Sequence, residues 1–255
     1  MRIDLNSDLG ESFGLYKIGQ DEQVLSVISS ANIACGYHAG DHSVMYETVQ
    51  LAKEKGVAIG AHPGTLDLQG FGRRMMELEA KDVYRFMLYQ LGALRAFTHV
   101  HGVKMQHVKP HGALYNMAAN NKTIATAIAE AVYDFSPELI LFGLSGSELT
   151  KAGESIGLKI AHEVFADRTY QANGTLTSRS EKNALITDHS EAVERVLQMV
   201  KHGVTEAVDG TEIELQADTI CVHGDSSQAF QFVEELRRGL EEQGIQIKAV
   251  GETNE

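Results

Sequence analysis

Short apolar runs alternate with longer amphipathic stretches along almost the whole chain. The runs of strand length fall at 2–6, 31–35, 57–61, 106–109, 138–144, 159–165 and 219–223. Between them, apolar residues recur at helical spacing at 42–55, 79–99, 122–133, 147–155, 191–201 and 230–242, with a short helix ending at 24–29. The longest of these, 79–99, sets Phe86, Leu88, Leu91, Leu94 and Phe97 on what reads as its core face. A small extra strand is expected at 211–215 and a terminal one at 245–250. Strands that alternate with helices of this length imply a parallel sheet with crossover helices. Seven such units suit a closed βα barrel better than an open sheet. No linker-like or repetitive tract interrupts them, so 1–250 reads as one domain and 251–255 as a frayed tail.

The polar residues gather at one end of these runs. ANIACGYHAGDH (31–42), GVAIGAHPG (56–64), MQHVKPHGALYN (105–116) and DTICVHGD (218–225) each close an apolar run with histidine beside glycine or proline. In a βα barrel the strand C-termini and the loops after them form the active face. On that face lie Asp8 and Glu11 after the first strand, His38 and Asp41 after the second, and His62 after the third. Lys109 and His111 follow the fourth, Asp167 and Arg168 the sixth, and His223 and Asp225 end the seventh. Asp8, His38 and His62 form a carboxylate and two imidazoles, a donor set that suits Zn²⁺, Mn²⁺ or Fe²⁺. A metal-free set of general acids and bases fits the same residues. With no HExxH or CxxC in the chain, spacing does not choose between them. His99, His101, His107, His162, His189 and His202 read as surface or packing residues. Arg73 and Arg74 in GFGRR, Arg168 in FADRTY and Arg179 are of the type that clamps a carboxylate or phosphoryl group, or pairs with an acid. Lys109, between a short strand and Pro110, reads as functional.

Charge narrows the partners. With 22 Lys plus Arg against 35 Asp plus Glu, the net charge is −13, which argues against nucleic acid or an anionic membrane. The two cysteines, Cys35 and Cys221, suit reduced thiols in a cytoplasmic protein rather than a disulfide framework. The first residues carry no apolar signal region, and no window is long and apolar enough to span a membrane. No GxGxxG follows the first strand and no GxxxxGK[ST] occurs, which disfavours Rossmann and Walker nucleotide sites.

Taken together, NSDLGESFG (6–14), ANIACGYHAGD (31–41), GAHP (60–63), GFGRR (70–74), VKPHGALYN (108–116), FADRTY (165–170) and ICVHGD (220–225) resemble the LamB/YcsF family. The one departure is Gly64-Thr65-Leu66-Asp67, where the family pattern has Ser-Tyr-Pro-Asp. The resemblance implies an irregular seven-stranded βα (TIM-like) barrel of the glycoside hydrolase/deacetylase type. It also implies ATP-dependent 5-oxoprolinase activity: 5-oxo-L-proline, ATP and water give L-glutamate, ADP and phosphate. ATP would be a co-substrate of the complex, and partner subunits B and C would complete the enzyme. Asp8 is then expected to act as general base or metal ligand, and His38 and His62 to hold a divalent metal or polarise water. Lys109 and His111 are expected to stabilise the oxyanion and the leaving nitrogen, with His223 also catalytic. Asn6, Glu11, Arg73, Arg74, Arg168 and Asp225 are expected to contact the substrate. A homo-oligomer is compatible with all of this. Two other readings stay open: a stand-alone metal-dependent deacetylase or amidohydrolase, and a non-catalytic protein that binds a lactam or sugar within a larger assembly.

Overall fold

The computed structural model describes residues 1–222 and 229–252. In chain order its elements are β1 (Arg2–Leu9), α1 (Asp21–Val24), β2 (Ser30–Ala34), α2 (His42–Lys55), β3 (Ala58–His62), α3 (Ala80–Val100), β4 (Met105–Val108), α4 (Gly112–Asn120) and α5 (Lys122–Phe135). There follow β5 (Ile140–Leu144), α6 (Glu148–Ile156), β6 (Lys159–Phe165), α7 (His189–His202), β7 (Val204–Glu206), β8 (Glu212–Glu214), β9 (Thr219–Cys221), α8 (Ala229–Glu242) and β10 (Gln246–Ile247). Strands β1 to β6 and β9 are parallel neighbours in that order, and β9 pairs back onto β1 with Asp4 opposite Thr219 and Asn6 opposite Cys221. The sheet is therefore a closed seven-stranded barrel. β10 lies beside the start of β1, and β7 and β8 form a separate antiparallel pair.

The outer faces of the strands are apolar because helices cover them. Leu5, Ile33, Ile59, Val108, Leu141, Val164 and Ile220 face outward and join the main core. The inward positions differ from those of an ordinary βα barrel, which bulky branched residues fill. Here Asp4, Asn6, Asp8, Ser30, Asn32, His107, Lys109, Glu163 and Thr219 point in, all buried. On the β5 side the filling is apolar, where Ile140, Phe142 and Ala161 meet Val250. The His107 ring stacks on Phe142, 4.2 Å between centroids. It also lies over Gly60, where a Cβ would stand 2.1 Å from the ring. No side chain fits there, so the position requires glycine.

Most elements fall within a few residues of expectation; β7 has no counterpart among the expected strands, and three further differences bear on the site. α3 buries Val83, Met87, Gln90, Leu91, Leu94 and Thr98, while Phe86, Leu88 and Phe97 are only partly covered. The face includes Gln90 because its amide bonds both the N–H and the carbonyl of Gly64, at 2.9 and 3.0 Å, and so tethers the loop after β3. α4 has no counterpart in the sequence pattern: it is short and without a capping side chain, and only Asn116 and Asn120 mark its exposed side, too few to reveal its period. Asp41 is not on the active face but caps α2, accepting from the N–H groups of Ser43 and Val44 at 2.9 Å.

Candidate active site

Four loops bring Glu11, His38, His62 and His111 together at the C-terminal end of the barrel, all buried. Hydrogen bonds to backbone carbonyls fix two of the imidazoles. His62 Nδ1 lies 2.7 Å from the Lys109 carbonyl, and His111 Nε2 lies 2.8 Å from that of Phe71. A carbonyl only accepts, so these nitrogens carry protons, and in a neutral ring His62 Nε2 and His111 Nδ1 are the atoms left to offer lone pairs. His62 Nε2 and His111 Nδ1 face each other at 2.9 Å, a separation that calls for a proton or a cation between them. Glu11 Oε1 stands 3.5 Å from His111 Nδ1 and 3.2 Å from His38 Nε2. His38 stacks on His111, with ring centroids 3.7 Å apart, and His62 stands edge-on to both. Phe71, at φ 54°, turns its carbonyl toward His111, and the next residue, Gly72, passes so close that a Cβ would stand 2.6 Å from His38.

Burial first, then the neighbouring imidazoles, push His38 and His111 well below the ordinary histidine value. Both are therefore neutral. Imidazole nitrogens that face one another beside a carboxylate suit either a shared proton or a cation between them. One donor atom from each of the four residues lies within 4.8 Å of the others. That set fits a divalent transition ion.

Asp8 stands beside this cluster. Its Oδ2 is 3.3 Å from His62 Nε2, while Oδ1 accepts from Lys109 Nζ at 3.1 Å and Asn32 Nδ2 at 2.9 Å. The Lys109 ammonium also reaches Glu163 Oε1 at 2.8 Å, Cys221 Sγ at 2.9 Å and Asn6 Oδ1 at 3.2 Å. Burial alone would lower its pKa, but Asp8, Cys221 and Glu163 win and hold it well above the ordinary lysine value. An ammonium has three N–H donors, and four protein acceptors surround this one. The geometry thus favours a positioning role for Lys109 over the expected oxyanion contact. Cys35 and Cys221 are both buried free thiols.

Below lies a second polar layer. Asn32 donates to Asn6 at 2.7 Å and accepts from His107 Nε2 at 2.8 Å. Burial, then Lys109 and His62, hold His107 down to about 3, from 6.5. Burial pushes Asp4 up to about 6, from 3.8, against hydrogen bonds from Ser29, Thr219 and Ser30. These shifts act on stability with opposite signs. Below pH 6.5 the unfolded chain takes up a proton at His107 that the folded chain refuses, so stability falls as pH drops. Asp4 holds its proton more tightly when folded, so its contribution is present below pH 3.8 and lost as pH rises through 6. Each is worth about 1.4 kcal/mol per pH unit, so between about pH 6 and 4 they nearly cancel. Asp4→Asn removes one side of the balance. Its unfolding free energy, from denaturant titrations, should fall about 1.4 kcal/mol per pH unit more steeply over that window. Equal slopes for the variant and the natural chain would refute the pairing.

Over Asp8, His62, Lys109 and His111 opens a cavity of about 440 Å³. Tyr115, Phe165, Arg73, Arg168 and Arg179 also line it. The Arg73 guanidinium lies over the Phe71 ring at 4.9 Å. Arg168 is buried and donates to the carbonyls of Thr177 and Ala184, which ties down the loop after β6. Arg74 does not line the cavity; it is largely exposed and is held by Asp67. Asn6 lies a layer below, donating to Glu163 at 3.0 Å and Thr219 at 2.7 Å. Glu11, expected at the substrate, sits among the histidines instead. His223 and Asp225 lie outside the described residues. Sequence reasoning missed Glu163, Asn32, Tyr115 and the interior place of His107. The one available signal was a charged residue inside the apolar run at 159–165.

The LamB/YcsF family pattern matches residues 3–255. The chain belongs to the LamB/YcsF family. It is 62% identical to a Halalkalibacterium halodurans protein named as the A subunit of 5-oxoprolinase, over 98% of each chain. Among solved structures, the lactam utilization protein of Thermus thermophilus is 44% identical with a TM-score of 0.92, covering 98% of this chain and 100% of the other. A family 4 carbohydrate esterase from Streptomyces lividans, in complex with acetate, superposes with a TM-score of 0.51 at 12% identity, over 98% and 93% of the two chains. That likeness is of fold alone, and it matches the βα barrel expected for this LamB/YcsF chain.

Proposed function

We propose that this chain opens 5-oxo-L-proline to L-glutamate as the A component of an ATP-driven 5-oxoprolinase, with subunits B and C supplying the activated lactam. The observation that carries the reading is the buried Asp8 carboxylate beside the Glu11, His38, His62 and His111 cluster, at the floor of a cavity sized for a small lactam. Relatives named for this activity match the chain almost end to end.

A five-membered lactam is unreactive, and phosphorylation of its amide oxygen makes the ring carbon electrophilic. Water then attacks that carbon and its proton passes to Asp8 Oδ2, the oxygen on the side away from Lys109 and Asn32. The ring C–N bond breaks as the nitrogen takes up a proton, which leaves a γ-glutamyl phosphate, and a second water hydrolyses that acyl phosphate to L-glutamate and phosphate. Arg73 and Arg179 line the cavity wall, and their guanidinium groups would bind the substrate carboxylate. Glu11, His38, His62 and His111 would hold a divalent ion, which when bound polarises an oxygen as a Lewis acid. Tight packing of Phe71 and Gly72 against His38 and His111 keeps bulk water from that side.

The same cluster on a deacetylase-type barrel also suits a metal-dependent amidohydrolase acting alone, and one assay separates the two. ADP and glutamate are followed together, for the isolated chain and for its mixture with subunits B and C. The isolated chain is expected to form neither, and the mixture to form both in equal amounts. Glutamate release by the isolated chain, with or without ATP, would overturn the division of labour.

A further inference from the structure

Glu163 is a carboxylate where the fold alone has no use for one. It lies mid-way along β6, inside the barrel and fully buried, on a strand whose other inward residues are Ala161 and Phe165. Removing a carboxylate from water is costly, and an apolar residue of similar size is often as stable in such a place. Its contacts are specific. Oε1 accepts from Lys109 Nζ at 2.8 Å and from Asn6 Nδ2 at 3.0 Å. Oε2 and the Tyr115 hydroxyl are both buried and make no bond of good geometry, yet the two groups lie side by side. Lys109 and Tyr115 line the cavity, whereas Glu163 does not. One buried group thus reaches two residues of the cavity floor, which come from the end of β4 and from α4.

We infer that Glu163 is a positioning residue for the reaction: anchored by Asn6, its carboxylate holds the Lys109 ammonium beneath Asp8. Lys109 then occupies Asp8 Oδ1 and leaves Oδ2 turned toward His62 and the cavity. Without Glu163, the ammonium has Asp8 as its one remaining carboxylate among these contacts. It is free to move toward that carboxylate and to cover the oxygen that must take the proton. The role is exerted through Lys109 and not by touching the substrate. It rests on the proposed part of Asp8 as proton acceptor.

The test uses the reconstituted three-component mixture with five variants of this chain: Glu163→Gln, Glu163→Asp, Lys109→Met, the Glu163→Gln/Lys109→Met double variant, and Asp8→Asn. Glu163→Gln is expected to lower kcat about 10- to 100-fold and to leave KM for 5-oxoproline within about threefold, because an effect exerted through the base is felt mainly in the transition state. The double variant should be no slower than Lys109→Met alone, since Glu163 has nothing left to position. Glu163→Asp, which keeps the charge, should recover part of the rate, and it supplies the measurement if Glu163→Gln does not fold. Unchanged kcat in folded Glu163→Gln, a KM rise at constant kcat, or losses that multiply in the double variant would each overturn the inference. The two ideas fail differently. If Asp8→Asn is inactive and Glu163→Gln is normal, the positioning role alone falls. If Asp8→Asn is fully active, the reading of Asp8 falls and takes this inference with it.

Discussion

Asp8→Asn in the reconstituted enzyme is expected to lower the rate of glutamate release by on the order of 100-fold, the lower end of what one positioned general base contributes. Asparagine keeps the shape of the side chain, and its carbonyl can still accept from Lys109 and Asn32. What it loses is the second carboxylate oxygen, which faces His62 Nε2 at 3.3 Å. An amide there cannot take a proton from water. The Lys109 charge remains paired with Glu163, so the variant avoids the full cost of leaving a buried ammonium alone. KM for 5-oxoproline should change little, because Arg73 and Arg179, not Asp8, are proposed to hold the substrate carboxylate. Steady-state kinetics on the three-component mixture checks this, and a fully active variant rejects Asp8 as proton acceptor.

The second large effect concerns the histidine cluster. Chelator-stripped protein is expected to bind one divalent ion per chain, and His62→Ala to weaken that binding by at least about 100-fold, since even the outer partners of metal ligands are commonly worth about 10- to 100-fold. The cluster is pre-arranged: the carbonyls of Lys109 and Phe71 fix which nitrogen of His62 and His111 offers its lone pair, and burial keeps His38 and His111 neutral. Calorimetric titration with Zn²⁺ or Mn²⁺, and metal content after dialysis, provide the readout without any activity assay. Arg74→Ala, at an exposed residue paired with Asp67 and away from the cavity, is the control that should bind normally. Undiminished binding by His62→Ala would place the ion elsewhere.

What the sequence revealed, it revealed through punctuation. His38, His62 and His111 stand at strand ends beside glycine or proline, so their common location follows once the strands are recognised as parallel. The inner layers follow no such rule. Whether Glu163 or His162 faces inward depends on the register of β6 against β5 and β9, which pairs Glu163 with Leu144 and Thr219. One residue of slip would exchange the two. Asn32 and His107 are hidden in the same way, inside runs that read as apolar. Arg74 and Arg168 look alike as candidate anion clamps in the sequence. Only the fold shows one held by Asp67 at the surface and the other tying down a loop. Glu11 is legible as a site residue, but its membership of the histidine cluster depends on the path of the loop after β1.

The seam between β1 and β9 has a consequence for how the protein is made. Asn6 bonds Thr219 across 213 residues of sequence, and Lys109 meets Cys221 across 112. Closing contacts of such long range is entropically slow and comes late in folding. During synthesis, β1 must leave the ribosome with Asp4, Asn6 and Asp8 long before the β9 partners Thr219 and Cys221 exist. Until then a half-built barrel exposes carboxylates that belong at its centre. Glu11, His38, His62 and His111, by contrast, all lie within the first half of the chain, so a nascent chain carries the whole of this cluster, the set proposed to hold a divalent ion, well before the barrel can shut. An early-bound ion would hold the first four strands together while the rest is made, and metal supply would then govern the yield of folded protein as well as its activity.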